Sequence, residues 1–309
     1  MTITNPLKLD TVVLTSPSCT FQACQELNLQ EQIETETQNP AGHPSPLFAA
    51  VKRAKPMVSF KTPEIDVVAS NIPAWGIAPG ATVYKKLSSG VAPLSRTATS
   101  HNKTVLTACI AYWSQITLPA RDIATADVTI CPIYDGTNEP FIVTASVALA
   151  GTITQPNYYC AGPAWVTDDA GTPVTTSIPS IDSIEIASGC QFRSDGDCTS
   201  IYDTYGEVTI DNCEITIKSK TAFNITTWPQ AGTNLTAFRF FARKFKPGGT
   251  FIANATASHI KFSGTAGLLI PMNSQAQGQE LFADTFKIVA MSPDGTTAPI
   301  TMTVSQAIA

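Results

Sequence analysis

Thr97-Ala98-Thr99-Ser100-His101-Asn102-Lys103 and Ala255-Thr256-Ala257-Ser258-His259-Ile260-Lys261 are near copies set 158 residues apart, about half of the 309-residue chain, and they hold two of its three histidines. Other pairs keep that offset to within one residue. Lys85-Lys86 falls on Arg243-Lys244, Thr107-Ala108 on Thr265-Ala266, and Val128-Thr129-Ile130 on Phe286-Lys287-Ile288. Asp135-Gly136-Thr137 falls on Asp294-Gly295-Thr296 with Pro140 on Pro299, and Val58-Ser59-Phe60-Lys61-Thr62 falls on Ile215-Thr216-Ile217-Lys218-Ser219. The matched residues are turn formers or apolar strand positions. A one-residue slip in a strand sends every side chain to the opposite face, so an offset held across several strands is a structural signal. It predicts two tandem copies of one domain, residues 1–150 and 151–309, the second opening on Thr152-Ile153-Thr154-Gln155-Pro156 as an echo of Thr2-Ile3-Thr4-Asn5-Pro6.

Composition points the same way. Only 14% of residues are charged and the net charge is −5, with 22 prolines and 18 glycines among many Thr, Ser and Ala. This is the usage of a β protein rich in turns. Each half reads as a mainly all-β, antiparallel sandwich or partly closed barrel with little helix. Lysines and arginines are scattered, and the densest run, Arg239 to Lys246, alternates with Phe as a strand does, so a nucleic-acid footprint is not expected. The first residues lack the charged and apolar regions of a signal peptide, and the longest uncharged apolar run, Phe141 to Ala150, is too short for a bilayer. The expected setting is the cytosol, with no membrane partner.

Strands are expected around Met57–Ile72, Val83-Tyr84, Thr104–Trp113, Asp127–Tyr134 and Glu139–Val147, and in matching places of the second half. Tyr134-Asp135-Gly136-Thr137 and Pro293-Asp294-Gly295-Thr296 are read as hairpin turns, because Asp-Gly takes the positive φ that suits twisted strands. Residues 21–46 have no close counterpart. Their acidic portion, Phe21 to Glu36, suggests a short helix, and Asn39-Pro40-Ala41-Gly42-His43-Pro44-Ser45-Pro46 suggests an exposed loop or arm specific to the first copy, suited to contacts between subunits. Gln279–Phe286 is the other helix candidate.

Residues with chemical potential read as structural. The equivalence of His101 and His259 argues for bonding to turn backbone rather than acid–base work, and His43 for a solvated loop. Ser194-Asp195-Gly196-Asp197 stops short of the twelve-residue, glutamate-terminated series of a calcium loop and reads as a tight turn; Asp168-Asp169 are adjacent within a turn and diverge. The eight cysteines, 19, 24, 109, 131, 160, 190, 198 and 213, form no C-x-x-C pair and read as small buried apolar residues, with a Cys190–Cys198 bridge as the conceivable exception. Trp75, Trp113, Trp165 and Trp228 with Tyr158-Tyr159 serve core or interdomain packing, or else line a sugar-binding face. No catalytic, cofactor-binding or metal residue is assigned, and no enzyme activity is expected.

The paired motifs Ser100-His101-Asn102-Lys103 and Ser258-His259-Ile260-Lys261, Asp135-Gly136-Thr137 and Asp294-Gly295-Thr296, and Val58–Thr62 and Ile215–Ser219 give the chain a diffuse resemblance to structural proteins of tailed-phage particles, in particular tail-tube proteins with a duplicated tube domain. The resemblance implies a virion protein made in host cytoplasm, and homotrimeric rings with a pseudo-six-fold axis. The rings stack around a channel through which DNA passes unbound, in contact with other virion proteins. A net negative charge suits that passage, since attraction to phosphate would retard it. The alternatives are a double jelly-roll major capsid protein and a carbohydrate-binding or adhesion module.

Overall fold

A computed structural model describes residues 10–42, 44–86, 101–149, 155–168, 178, 180–220, 232–246, 248–275 and 283–308. The first half holds β1 (Asp10–Thr15), β2 (Ser18–Gln30), β3 (Ile33–Gln38), β4 (Phe48–Ala54), β5 (Met57–Thr62), α1 (Ile65–Asn71), β6 (Ala81–Lys86), β7 (His101–Leu106), β8 (Ala108–Pro119), β9 (Thr125–Ile133) and β10 (Ile142–Val147). The second holds β11 (Tyr158–Asp168), β12 (Ile181–Ala187), β13 (Cys190–Asp195), β14 (Tyr205–Ile210), β15 (Cys213–Ser219), β16 (Thr233–Phe245), β17 (His259–Gly264), β18 (Gly267–Gln275), β19 (Ala283–Ala290) and β20 (Thr301–Gln306). Apart from α1, the regular structure of the described residues is all β, and every ladder between these strands is antiparallel.

Strand order is the same in the two halves. The first runs β10-β7-β6-β1 and β2-β5-β9-β8, and the second β20-β17-β16-β11 and β12-β15-β19-β18; the link between the two groups differs, β1 pairing with β2 in the first half and β16 with β18 in the second. Irregularities match as well. The ladder shift at Trp113/Gln115 between β8 and β9 recurs at Pro271/Asn273 between β18 and β19, and the positive φ of Ser146 in β10 recurs at Ser305 in β20. A bulge is a local feature with a fixed cost in pairing, so its recurrence at the same strand position fixes register rather than style. In each half an additional hairpin, β3–β4 or β13–β14, is inserted after the second strand.

Alternation builds the core. Val58, Phe60 and Thr62 of β5, Ala126, Val128 and Ile130 of β9, and Ile215, Ile217 and Ser219 of β15 point inward at every second position, leaving the intervening residues part-exposed. The buried residues make one connected cluster from Val12 to Ile300, with Trp113, Phe21, Phe240 and Phe262 among its largest members. At about 25 cal/mol per Å² of apolar surface, each such aromatic contributes on the order of 3 kcal/mol before its own ordering cost.

Five sequence expectations are corrected. The segment around Phe21–Glu36 is not helical: β2 pairs with β1 as far as Cys24 and with β5 from Gln25 onward. Its Gln, Glu and Leu content favours a helix locally, and the offered strand edges override that preference. The arm is exposed as expected, but it is a regular hairpin, β3–β4, instead of a loop. The part of Gln279–Phe286 that is described, 283–286, begins β19. Conversely, Ile65–Asn71 is a helix. Ile65, Val68 and Ile72 are buried at helical spacing, Thr62 Oγ1 accepts the Glu64 N–H at 3.1 Å just before it, and Pro73 follows its end.

The fifth concerns the Asp-Gly turns. Gly136 and Gly295 have the expected positive φ, and Asp135 and Asp294 each accept two backbone N–H groups of their own turn. Neither turn makes a hairpin, however. β9 lies in the β2-β5-β9-β8 sheet while β10 pairs with β7, and β19 and β20 divide in the same way. The turn chemistry was legible; the crossing from one layer to the other depends on which edges the following strand finds.

Candidate assembly surface

The two halves meet strand to strand. β8 pairs with β12 from Gln115↔Ala187 to Pro119↔Ser183, and the ladder is lengthened by Ser188 N–H to Ser114 O and Ala120 N–H to Asp182 O at 2.9 and 2.8 Å. This pairing fuses the inner sheets into one of eight strands, β2-β5-β9-β8-β12-β15-β19-β18. α1 of the first half packs against β20 of the second, where Met302 and Val304 are partly buried on the core.

One face of the eight-stranded sheet covers the core, and the other is largely polar, with Ile110, Leu268, Ile270 and Val289 also on it. The polar face carries Ser59, Thr129, Gln115, Thr117 and Thr216, and its charges come in pairs across neighbouring strands: Lys61 with Asp127 at 3.8 Å, Lys218 with Glu185 at 3.0 Å, and Lys287 with Glu214. Three lysines thus answer three carboxylates. Burial raises the Asp127 carboxyl pKa, with Lys61 acting against it and Glu26 adding to it. A surface of hydroxyls and paired charges carries little net field.

At one end of this sheet the two hairpins stand side by side. Ala54 N–H donates to Ile201 O at 2.9 Å, and the Arg53 guanidinium grips Asp203 through Nε and Nη2, both at 2.7 Å, while Nη2 also reaches Ser194 O. β3–β4 exposes Ile33, Leu47, Phe48 and Val51, Phe48 to 62%. The cleft of about 520 Å³ between the hairpin bases is lined by Lys55, Tyr112, Cys131 and Arg193 among others. Burial pushes the Tyr112 phenol and the Cys131 thiol up to about 12, so neither is an activated nucleophile near neutral pH.

The histidines are placed as equivalents, opening β7 and β17, and both are buried. His259 Nδ1 accepts the Lys244 N–H at 3.0 Å and Nε2 donates to Ala253 O at 3.1 Å, so its tautomer follows from these partners. Burial lowers its pKa, and the Ala253 bond only partly opposes this. The counterpart of that loop, 87–100, lies outside the described residues, as do His43, Asp169 and Trp228, and the boundary at 150–154. Ser194 and Asp195 belong to β13. The reversal follows them, Asp195 accepting Gly196 N–H and Asp197 accepting Thr199 N–H. All eight cysteines are free, so the Cys190–Cys198 bridge is not formed; Cys190 donates instead to Ala74 O. Trp113 is fully enclosed and unavailable to a sugar. Trp165 packs edge-on against Phe241 beneath Arg239, and Trp75 is 40% exposed.

Sequence reasoning missed the surface that matters most, the β8·β12 joint. No protein-family model matches this chain, and no curated protein matches it.

Proposed function

We propose that the chain is a structural subunit of a virus particle, a tail-tube protein of a tailed phage. In this reading it is two tandem copies of one β domain, and three chains assemble in host cytoplasm into a ring with pseudo-six-fold symmetry. Such rings stack, and DNA passes through them without specific binding. The observation that carries the reading is the eight-stranded sheet with cross-strand charge pairs on its outer face, built by joining the closing edge of one four-stranded unit, β8, to the opening edge of the next, β12.

Its dimensions are suitable. Three such sheets closed edge to edge, at about 4.8 Å per strand, make a layer roughly 37 Å across before strand tilt widens it, which admits a double helix. A single chain closing on itself could not serve, because an eight-stranded barrel has room only for its own side chains, and six charged residues would be trapped inside.

Electron microscopy and mass measurement of the purified protein test the proposal. Rings of three chains or tubes with an axial channel are expected. Shells or flat hexagonal sheets point instead to a capsid role, and a protein that stays monomeric at high concentration overturns both.

A further inference from the structure

The internal joint is asymmetric: the first half contributes the edge of β8 and the helix α1, and the second contributes the edge of β12 and the outer face of β20. The opposite partners of the two strand edges and of the β20 face are present as well and pair with no further strand among the described residues, while the counterpart of α1 lies outside them. In the first half, the counterpart of the β12 edge is the Gln25–Gln30 stretch of β2, which pairs with β5 on one side and with no strand on the other among the described residues. The counterpart of β20 is β10, where Val143 matches Met302 through their partners Thr104 and Phe262. Val143 is 63% exposed and its neighbour Ile142 is 40% exposed. In the second half, the counterpart of the β8 edge is Asn273–Gln275 of β18, paired with β19 alone among the described residues.

We infer that these surfaces join one copy of the chain to the next, head to tail, by repeating the β8·β12 joint between molecules. The register follows from the ladders. Ala187, Ile186 and Glu185 face Gln115, Ile116 and Thr117. Through β5 and β15, Gln30, Leu29 and Asn28 stand where Ala187, Ile186 and Glu185 do. Through β9 and β19, Asn273, Ser274 and Gln275 stand where Gln115, Ile116 and Thr117 do. The intermolecular pairs are therefore Gln30↔Asn273, Leu29↔Ser274 and Asn28↔Gln275. A bare strand edge is a template for another chain, and the apolar face of β10 lies where the joint inside the chain already covers its equivalent. Both receiving surfaces belong to the first half, as one repeated contact requires. The inference rests on the ring reading and supplies its contact.

Two experiments test it on the full chain. In a Cys198→Ser background, Asn28→Cys with Gln275→Cys and Leu29→Cys with Ser274→Cys are oxidised in the assembled protein. Of two adjacent antiparallel pairs one is the narrow type, so at least one set is expected to give covalently linked chains. The slipped set, Asn28→Cys with Asn273→Cys, should give less than about a tenth as much. Separately, Val143→Asp should leave the monomer's thermal unfolding unchanged, since the side chain is exposed there, while lowering assembly at least tenfold. Rings that form equally well in Val143→Asp, or that crosslink only in the slipped register, overturn this contact and leave the ring standing. A chain that never assembles overturns the ring reading and this contact together.

Discussion

Replacing Arg53 by Ala removes the clamp between the two hairpins. Arg53 makes three charge-assisted hydrogen bonds, two to Asp203 and one to the Ser194 carbonyl, and its side chain is 29% exposed against 6% for Asp203. A fully buried set of this kind would cost 3–5 kcal/mol when one partner is lost; solvent reaching the guanidinium reduces that to about 2 kcal/mol. Most of it is the penalty of leaving the Asp203 carboxylate buried without its cation. A double-mutant cycle with Asp203→Asn, followed by urea unfolding, should therefore return a coupling of about 1.5 kcal/mol. Hydrogen exchange at the Ala54 N–H, which bridges to Ile201, should speed up about 30-fold in Arg53→Ala, the rate equivalent of that loss. The pH dependence has a definite sign. Burial works to raise the Asp203 carboxyl, but the Arg53 and Ser194 hydrogen bonds and the Arg53 and Lys55 charges outweigh it, so the folded value lies below the usual range. The contribution is complete above about pH 4 and is lost as pH falls through the folded value. A coupling under about 0.5 kcal/mol, or exchange at Ala54 unchanged, refutes the clamp.

His259 is held neutral, so its contribution is present above its unfolded pKa of about 6.5 and lost as pH falls below that; a stability profile that His259→Gln does not flatten between pH 5 and 7 contradicts this. Glu64 Oε2 accepts the Gln22 and Ala23 N–H groups at 2.7 and 2.9 Å where β2 passes from β1 to β5. Denaturant curves should show Glu64→Ala losing about 2–3 kcal/mol and Glu64→Gln, which keeps an oxygen there, about 1 kcal/mol or less. Trp113→Ala empties the centre of the core and should cost about 3–5 kcal/mol by calorimetry. Changing Lys61, Lys218 and Lys287 together to Gln should alter monomer stability by no more than about 1.5 kcal/mol, because each pair is partly exposed and screened.

The sequence announced its strands through side-chain alternation, with a clarity that did not extend to how edges are shared. Val58-Ser59-Phe60 reads as a strand in any context. Gln25–Gln30 does not, because its composition suits a helix and only the neighbouring β5 edge draws it out. Ile65–Asn71 misleads in the opposite sense: Ile65, Val67 and Val68 resemble a strand until the three-and-four spacing of Ile65, Val68 and Ile72 is weighed together with the Thr62–Glu64 start. The clamp was out of reach, since Arg53 and Asp203 are 150 residues apart and nothing local marks either. The charge pairs of the polar face were hidden for the same reason, being set by register between strands.

Because β8 and β12 belong to one covalent chain, their union survives any dilution, whereas a contact between separate molecules obeys mass action. Tethering also frees the two hairpins from having to be alike. Phe48 and Val51 decorate one tip while Asp195, Asp197 and Glu207 populate the other, a division of labour that identical units could never adopt.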